Sequence, residues 1–94
     1  MALKQTLIDS AGRTNEDAYW VWTAMAFDAI TQALTLTYSA YISAEAFEAG
    51  KDAIAHRMIN GSFLELYSEF GPVLVPEAYT IAMNDPFFED AELV

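Results

Sequence analysis

Residues 33–42 read Ala-Leu-Thr-Leu-Thr-Tyr-Ser-Ala-Tyr-Ile, in which apolar and hydroxyl-bearing side chains alternate. Side chains of a β-strand point alternately to the two faces of its sheet, so this period of two predicts a strand from Ala33 to Ile42. The segment from Tyr19 to Phe27 is rich in aromatic and β-branched residues and predicts a second strand, with residues 28–32 as the hairpin connection. The alternative is one helix over residues 16–34, because alanines recur there and no Gly or Pro interrupts residues 28–32.

Turn and cap residues outline the middle of the chain. Ser43 before residues 44–49 and Gly50 after them are typical of a short, capped helical turn. Asn60-Gly61 is typical of a two-residue β-turn. We therefore predict a second hairpin, with strands over residues 53–59 and 62–67.

Both ends of the chain also carry patterns. Residues 3–8 alternate and predict an edge strand, followed by a loop over residues 9–15. Pro76 is placed as the first-turn proline of a helix that runs to Met83. We expect three of its side chains to face the sheet: Ala78, Ile81 and Ala82. The chain is thus predicted to be a single α+β domain over residues 1–94, with antiparallel β-hairpins forming a small sheet and a short C-terminal helix.

The charge balance excludes several classes of function. Fourteen acidic residues stand against four basic ones and a single histidine, giving a net charge of −10, and cysteine is absent. So few basic side chains cannot follow a phosphate backbone or an anionic bilayer, and no stretch is long and apolar enough to span a membrane. We expect neither nucleic acid nor membrane as a partner. The acidity indicates self-repulsion that keeps the chain in solution; the alternative is a soluble acidic inhibitor that mimics DNA.

No group of residues marks a catalytic or metal site. His56 has Asp52 at helical spacing and Glu65 across the predicted second hairpin, but zinc sites usually need three or four ligands dominated by His and Cys. Carboxylate pairs such as Glu45 and Glu48 lack the apolar cleft that acid–base catalysis needs. The glycines are isolated, so they form no phosphate-binding loop. We expect a protein that is not an enzyme and that uses no cofactor or metal.

The first predicted strand is apolar on both faces, which is unusual for a small sheet. In a regular strand one face would carry Tyr19, Val21, Met25 and Phe27, and the other Trp20, Trp22, Ala24 and Ala26. Interface cores favour Trp and Phe, so one apolar face is a candidate partner contact. The candidate contact residues are Trp20, Trp22, Phe87 and Phe88. The alternative is that the domain core buries them, and the acidic residues 85–92 are expected to form a solvated tail.

A set of short motifs occurs in one order along nearly the whole chain. The motifs are Met1-Ala-Leu-Lys4, Asp17-Ala-Tyr19, Ile42-Ser43 leading to Glu48-Ala-Gly-Lys51, Pro76-Glu-Ala-Tyr79 and Asp85-Pro-Phe-Phe-Glu-Asp-Ala91. This order resembles a family of small proteins encoded by tailed bacteriophages and prophages. The chain departs from the family pattern in the hairpin connection, residues 28–32, which lacks the Gly and Lys often found there.

The resemblance implies a virion structural protein that is made in the bacterial host cytoplasm. The first expectation is a tail, baseplate or tail-fibre component, and the alternative is a capsid decoration protein. The implied partners are other virion proteins, with several copies of the chain in a symmetric assembly. The resemblance transfers no functional residues.

Overall fold

The computed structural model describes residues 2–8, 12–71 and 75–94. These residues form the strands β1 (Leu3–Lys4), β2 (Leu7–Ile8), β3 (Thr14–Asn15), β4 (Tyr19–Asp28), β5 (Ala33–Tyr41), β6 (Ala55–Ser62) and β7 (Glu92–Leu93). The helices are α1 (Ala44–Glu48), α2 (Phe63–Phe70), α3 (Val75–Met83) and a 3-10 helix, η1 (Pro86–Phe88). Five strands form one antiparallel sheet in the order β6-β5-β4-β1-β7, and β2 pairs with β3 apart from it. The predicted α+β class, a small antiparallel sheet with short helices, is confirmed.

β4 and β5 form the predicted hairpin, and the alternative helix over residues 16–34 is wrong. The turn needs no Gly or Pro, because Asp28 Oδ1 accepts hydrogen bonds from the backbone N–H groups of Ile30 (2.9 Å) and Thr31 (3.2 Å). These bonds, that from Thr31 foremost, lower the pKa of the Asp28 carboxyl. Gln32 takes the left-handed backbone conformation that closes the turn, with a φ of 57°.

β5 has the alternation that its sequence predicts. Every second side chain is buried on one face of the sheet, here called the core face: Leu34, Leu36, Tyr38 and Ala40. The opposite face, here called the open face, carries Thr35, Thr37 and Ser39. The strand ends at Tyr41, one residue earlier than predicted, and Ile42 is exposed.

A β-bulge at Thr23 interrupts the regular alternation of β4. Trp22 lies opposite Tyr38 and Ala24 lies opposite Thr37, so Thr23 is an extra residue without a partner position. The Trp22 indole N–H donates a hydrogen bond to Ala24 O at 2.9 Å, which satisfies a carbonyl beside the bulge. The irregular backbone is therefore held by a side chain of the same strand.

Beyond the bulge, the large apolar side chains of β4 fall on the core face. Met25 lies opposite Leu36, and Phe27 lies opposite Leu34. The prediction that Met25 and Phe27 share a face with Tyr19 is therefore wrong, because it assumed a regular strand. Beyond the bulge, β4 therefore places the small side chains of Ala24 and Ala26 on the open face.

α3 and η1 cover the proximal half of the core face, which is the half farther from the β4–β5 turn; the distal half is the one next to that turn. The helix turns Ala78, Ile81 and Ala82 toward the sheet, as the sequence predicts, and all three are buried. The buried cluster consists of Leu3, Trp20, Leu36, Tyr38, Ala40, Tyr79, Ile81, Ala82 and Phe88. Since alanine has no side chain beyond Cβ, it lets the helix backbone approach the aromatic side chains of the strands closely.

The C-terminal segment belongs to the fold, so the expected solvated tail over residues 85–92 is wrong. Asp85 caps η1 by accepting a hydrogen bond from Phe87 N (2.8 Å), and it forms a salt bridge with Arg57 (3.1 Å). The Arg57 guanidinium lies over the Phe87 ring at 4.9 Å. β7 then pairs with β1, with Leu3 opposite Leu93.

The predicted second hairpin is absent, because β6 runs straight through Asn60 and Gly61. Gly61 lies opposite Leu34, and α2 begins two residues later. A Cβ atom on Gly61 would lie 3.0 Å from Leu66 Cδ1. The glycine therefore gives room for α2 to pack against β6 instead of making a turn.

The N-terminal segment and α1 differ in how well the sequence predicted them. β1 lies between β4 and β7, so it is not the edge strand expected over residues 3–8. Part of the expected loop, Thr14–Asn15, is strand β3, while residues 9–11 lie outside the described part. The capped turn is confirmed, since Ser43 Oγ accepts a hydrogen bond from Ala46 N at 3.1 Å and Gly50 has a φ of 74°.

Two buried tyrosines connect α3 to the sheet. Tyr38 OH donates a hydrogen bond to Ala78 O, and Tyr79 OH accepts one from Trp22 N at 2.8 Å. Burial raises the pKa of the Tyr38 hydroxyl, with the neighbouring Tyr79 and Asp85 adding to the effect. Burial likewise raises the pKa of Tyr79, although its bond with Trp22 N opposes the change.

Alkaline pH is therefore expected to destabilise the fold. Both tyrosines have a higher pKa in the folded chain than in the unfolded chain, where the tyrosine pKa is about 10. Their contribution to stability is therefore complete below about pH 10 and is lost as the pH rises above that value. We expect the free energy of unfolding, measured by urea denaturation, to fall steadily above about pH 10. Tyr38→Phe should start from a lower stability and decline less steeply, and an unchanged slope would contradict this cause.

Candidate interaction site

Two of the four predicted contact residues are inaccessible. Trp20 and Phe88 are each 1% exposed, and their rings pack edge to face at 5.2 Å between centroids. Phe88 also packs against Tyr38 at 5.7 Å. In this fold a partner cannot reach either ring, so the core alternative applies to both, and their assignment as contact residues is corrected.

The other two predicted contact residues lie at the margin of the core. Trp22 is half-buried against the core cluster. Phe87 is 36% exposed, and its ring packs edge-on against Trp20 at 5.3 Å and against Phe88 at 4.9 Å. Arg57 covers part of what remains. These contacts hold the C-terminal segment on the sheet.

The structure places a different apolar cluster on the surface, at the distal end of the hairpin. Met25 (49% exposed) and Phe27 (51%) lie on the core face of β4. Phe63 (36%) and Tyr67 (52%) come from α2. Phe27 and Phe63 are 5.1 Å apart, and Phe63 and Tyr67 are 5.9 Å apart, between ring centroids. We call these four side chains the tip surface.

Local structure explains why these side chains meet. The bulge at Thr23 turns Met25 and Phe27 to the face on which α2 packs. Phe63 and Tyr67 are four residues apart, so they lie on the same side of the helix. The pattern of residues 62–67 predicts a strand for both of these aromatics, which is wrong, and it gives no indication of the cluster. Two features of the sequence indicate a helix start here: Glu65 lies three residues after Ser62, and Phe63 and Tyr67 are four residues apart. These signals could have revealed the cluster.

The surroundings of the tip surface are acidic. The hairpin and α2 carry Asp28, Glu65 and Glu69, while the sequence has no Lys or Arg between Arg13 and Lys51 or after Arg57. Asp28 is held in the hairpin turn. The two elements that form the tip surface, the hairpin and α2, thus carry carboxylates and no Lys or Arg, which suits a partner with an apolar centre and basic residues around it.

His56 contacts residues of the neighbouring strands rather than Asp52 or Glu65. Its Nδ1 is 3.0 Å from Ser39 Oγ, and Ser39 Oγ is 2.9 Å from Thr23 Oγ1. This chain of polar groups links β6, β5 and β4 across the open face. Among residues 2–8, 12–71 and 75–94, no group of His, Asp and Glu side chains could hold a metal ion.

One cleft near the chain ends contains charged groups, but they bind each other. It is about 380 Å³ in volume, and its walls include Lys4, Asp17, Tyr19 and Glu45. Lys4 Nζ is 3.1 Å from Asp17 Oδ1, and this hydrogen-bonded ion pair raises the pKa of Lys4. Both charges remain exposed, so the cleft offers a ligand no desolvated anchor.

Comparisons with known proteins add no further assignment. No protein-family model matches the chain, and no curated protein or solved structure shows significant similarity to it. Within the part of the chain that the structure describes, no helix has the length and apolar character needed to cross a membrane.

Proposed function

We propose that this chain is a non-catalytic structural protein of a bacteriophage virion, a tail, baseplate or tail-fibre component that acts through protein–protein contacts. The observation that carries the contact role is the tip surface, where four large apolar side chains lie together and are each at least one-third exposed. Surfaces of this kind mark interaction sites on small domains. The assignment to a virion comes from the order of sequence motifs.

The shape of the molecule supports contact at its end. Its Cα atoms extend over 39 × 24 × 23 Å, and β4 and β5 are its longest strands. α3 and η1 pack on the proximal half of the core face, whereas the tip surface occupies the distal half. The tip surface can thus enter a groove of a larger protein while the folded core stays outside it.

Replacing Phe27 and Phe63 together with serine tests this contact. Partner affinity should fall at least about 30-fold, the equivalent of one hot spot of about 2 kcal/mol, and few copies should enter particles. Both rings are partly exposed, so the domain should still fold, as circular dichroism and urea denaturation would show. The measurement is the copy number per purified particle, by quantitative mass spectrometry.

A matched control uses two apolar side chains that are also largely exposed but lie elsewhere. Ile42 is 57% exposed and Val75 is 50% exposed. Changing both to serine should leave the copy number per particle unchanged. Normal incorporation of the tip variant, or equal losses for the two variants, would contradict the role of the tip surface.

The ratio of this chain to the major capsid and tail-tube proteins tests the virion assignment. Density-purified particles of the phage that encodes the chain should contain it at a fixed, low ratio if it is a tail component. A ratio near one per capsid subunit would identify the alternative, a capsid decoration protein. Absence from particles would overturn the structural role, and salt-sensitive binding to a DNA-binding protein would then favour the acidic inhibitor.

A further inference from the structure

The outer edge of β6 is a long strand edge that stays open within the described residues. β6 is the last strand of the five-stranded sheet, and it pairs with β5 over all eight of its residues without a bulge. The strand at the opposite edge, β7, has only two residues. An edge strand presents a row of unpaired N–H and C=O groups that can accept another strand.

The alternation of hydrogen bonds along β6 shows which of its backbone N–H and C=O groups point away from β5. Phe63 N donates to Gln32 O at 2.8 Å, and in an antiparallel ladder such bonded positions recur at every second residue. The odd-numbered residues of β6 therefore bond to β5. The even-numbered ones, His56, Met58 and Asn60, point their backbone groups to the outside. These three side chains are also exposed on the open face.

β6 has only one feature of the kind that normally blocks an open edge, the charged side chain of Arg57 on the core face. It contains no Pro, Lys, Asp or Glu, and Arg57, its only residue with a formal charge at neutral pH, is paired with Asp85. Met58, at the middle of the strand, is 60% exposed. Monomeric proteins usually protect such strands with inward-pointing charges, prolines or bulges. The edge of β6 therefore has the character of an interface.

We propose that two copies of this chain pair antiparallel through β6, forming one continuous ten-stranded sheet. Two-fold pairing makes both edges equal in length and lets every outward N–H meet a C=O. With Met58 of one copy opposite Met58 of the other, the two exposed thioether side chains cover each other. His56 of one copy then lies opposite Asn60 of the other.

Charge repulsion between two copies is low along this edge. The chain carries a net charge of −10, so most contacts between two copies bring carboxylates together. β6 has no carboxylate, and therefore two copies paired along it bring no carboxylates of this strand together. The carboxylates around the tip surface, in contrast, disfavour a second copy there. A dimer formed through β6 leaves both tip surfaces free. Each dimer can therefore present two partner contacts on one rigid sheet.

Sedimentation velocity of the purified chain tests the pairing. The mass should rise with concentration from that of one 10.4 kDa chain to that of two. In the dimer, the backbone amides of Met58 and Asn60 should become protected from hydrogen exchange. A monomer at every concentration would overturn the proposal.

Substitutions at the edge separate this interface from others. Met58→Pro removes an outward N–H without removing a bond to β5, a position at which an edge strand tolerates proline, and it should be monomeric. Met58→Lys with Asn60→Lys is a second variant, in case the proline disturbs folding. Ala26→Lys, on the open face two strands away, should still dimerise. A dimer that persists in the lysine variant, or that is lost in Ala26→Lys, would overturn edge pairing.

The outcome is independent of the proposed virion role. The Phe27→Ser, Phe63→Ser variant should dimerise like the unchanged chain. Phe27 lies on β4, and Phe63, which directly follows β6, points its backbone N–H inward to Gln32 O. Loss of particle incorporation with an intact dimer therefore tests the tip surface alone. A monomeric chain that still enters particles would overturn only the pairing through β6.

Discussion

Replacing Phe88 with alanine is expected to lower the free energy of unfolding by about 3–5 kcal/mol. The ring is 1% exposed and packs against the rings of Trp20, Tyr38 and Phe87 at centroid distances of 4.9–5.7 Å. Removing it leaves a cavity between η1 and the sheet that those rigid rings cannot fill. A small domain has a stability of about 5–15 kcal/mol, so the variant should be close to unfolding at room temperature. Urea denaturation followed by circular dichroism measures the change.

The neighbouring residue provides the control for Phe88→Ala. Phe87 has the same side chain in the same 3-10 helix but is 36% exposed. Phe87→Ala should therefore cost only about 1–2 kcal/mol. Equal losses for the two variants would mean that the C-terminal segment does not dock with Phe88 innermost.

Replacing Trp20 with alanine is the second change with a large expected effect, again about 3–5 kcal/mol of unfolding free energy. Its ring is 1% exposed and contacts both Phe87 and Phe88 edge to face. It is the side chain against which the C-terminal segment packs. The loss should appear as a lower urea midpoint and a lower thermal midpoint.

Trp22 is the natural comparison, because it lies on the same face of the same strand but is only half-buried. Trp22→Ala should destabilise the domain less than Trp20→Ala.

Trp22→Phe leaves Trp20 as the single tryptophan, so its fluorescence can be read alone. Emission at short wavelength, poorly quenched by acrylamide, is expected. Strong quenching would show that Trp20 is accessible and would restore it as a contact residue.

The β4–β5 hairpin was predictable because its signal is repeated at every residue. Alternation in β5 persists over nine residues, and a period of two cannot place one apolar side on a helix. The alanines of β4 favour helix only weakly, and pairing with β5 outweighs that preference. The turn carries an Asp at its first position, which is why the missing Gly and Pro did not matter.

The second hairpin was mispredicted because the same dipeptide serves two purposes. Asn60-Gly61 is favourable in a tight turn, but Gly61 is also the residue over which the Leu66 side chain packs. Which use applies depends on α2, a contact that arises only after folding. As a result, Phe63 and Tyr67 were assigned to a strand, and half of the tip surface was missed.

The other half of the tip surface was hidden by the bulge. Thr23 is a common strand residue, and nothing in its neighbourhood marks an extra position in β4. Trp20 and Phe88 show the related difficulty that an apolar aromatic has the same sequence signal in a core and in an interface. Burial in the tertiary structure separates the two, and it places both residues in the core.

The bulge also affects how chains with this fold should be aligned. A chain without Thr23 would keep Trp22 opposite Tyr38 and Ala24 opposite Thr37, so each later side chain of β4 would stay on its present face. Relatives that differ in length by one residue here would still have the same core. The correct alignment gap would then fall inside a strand, a place where gaps are usually penalised. Aligning such chains without it would shift β4 by one residue and invert the apparent pattern of buried and exposed positions.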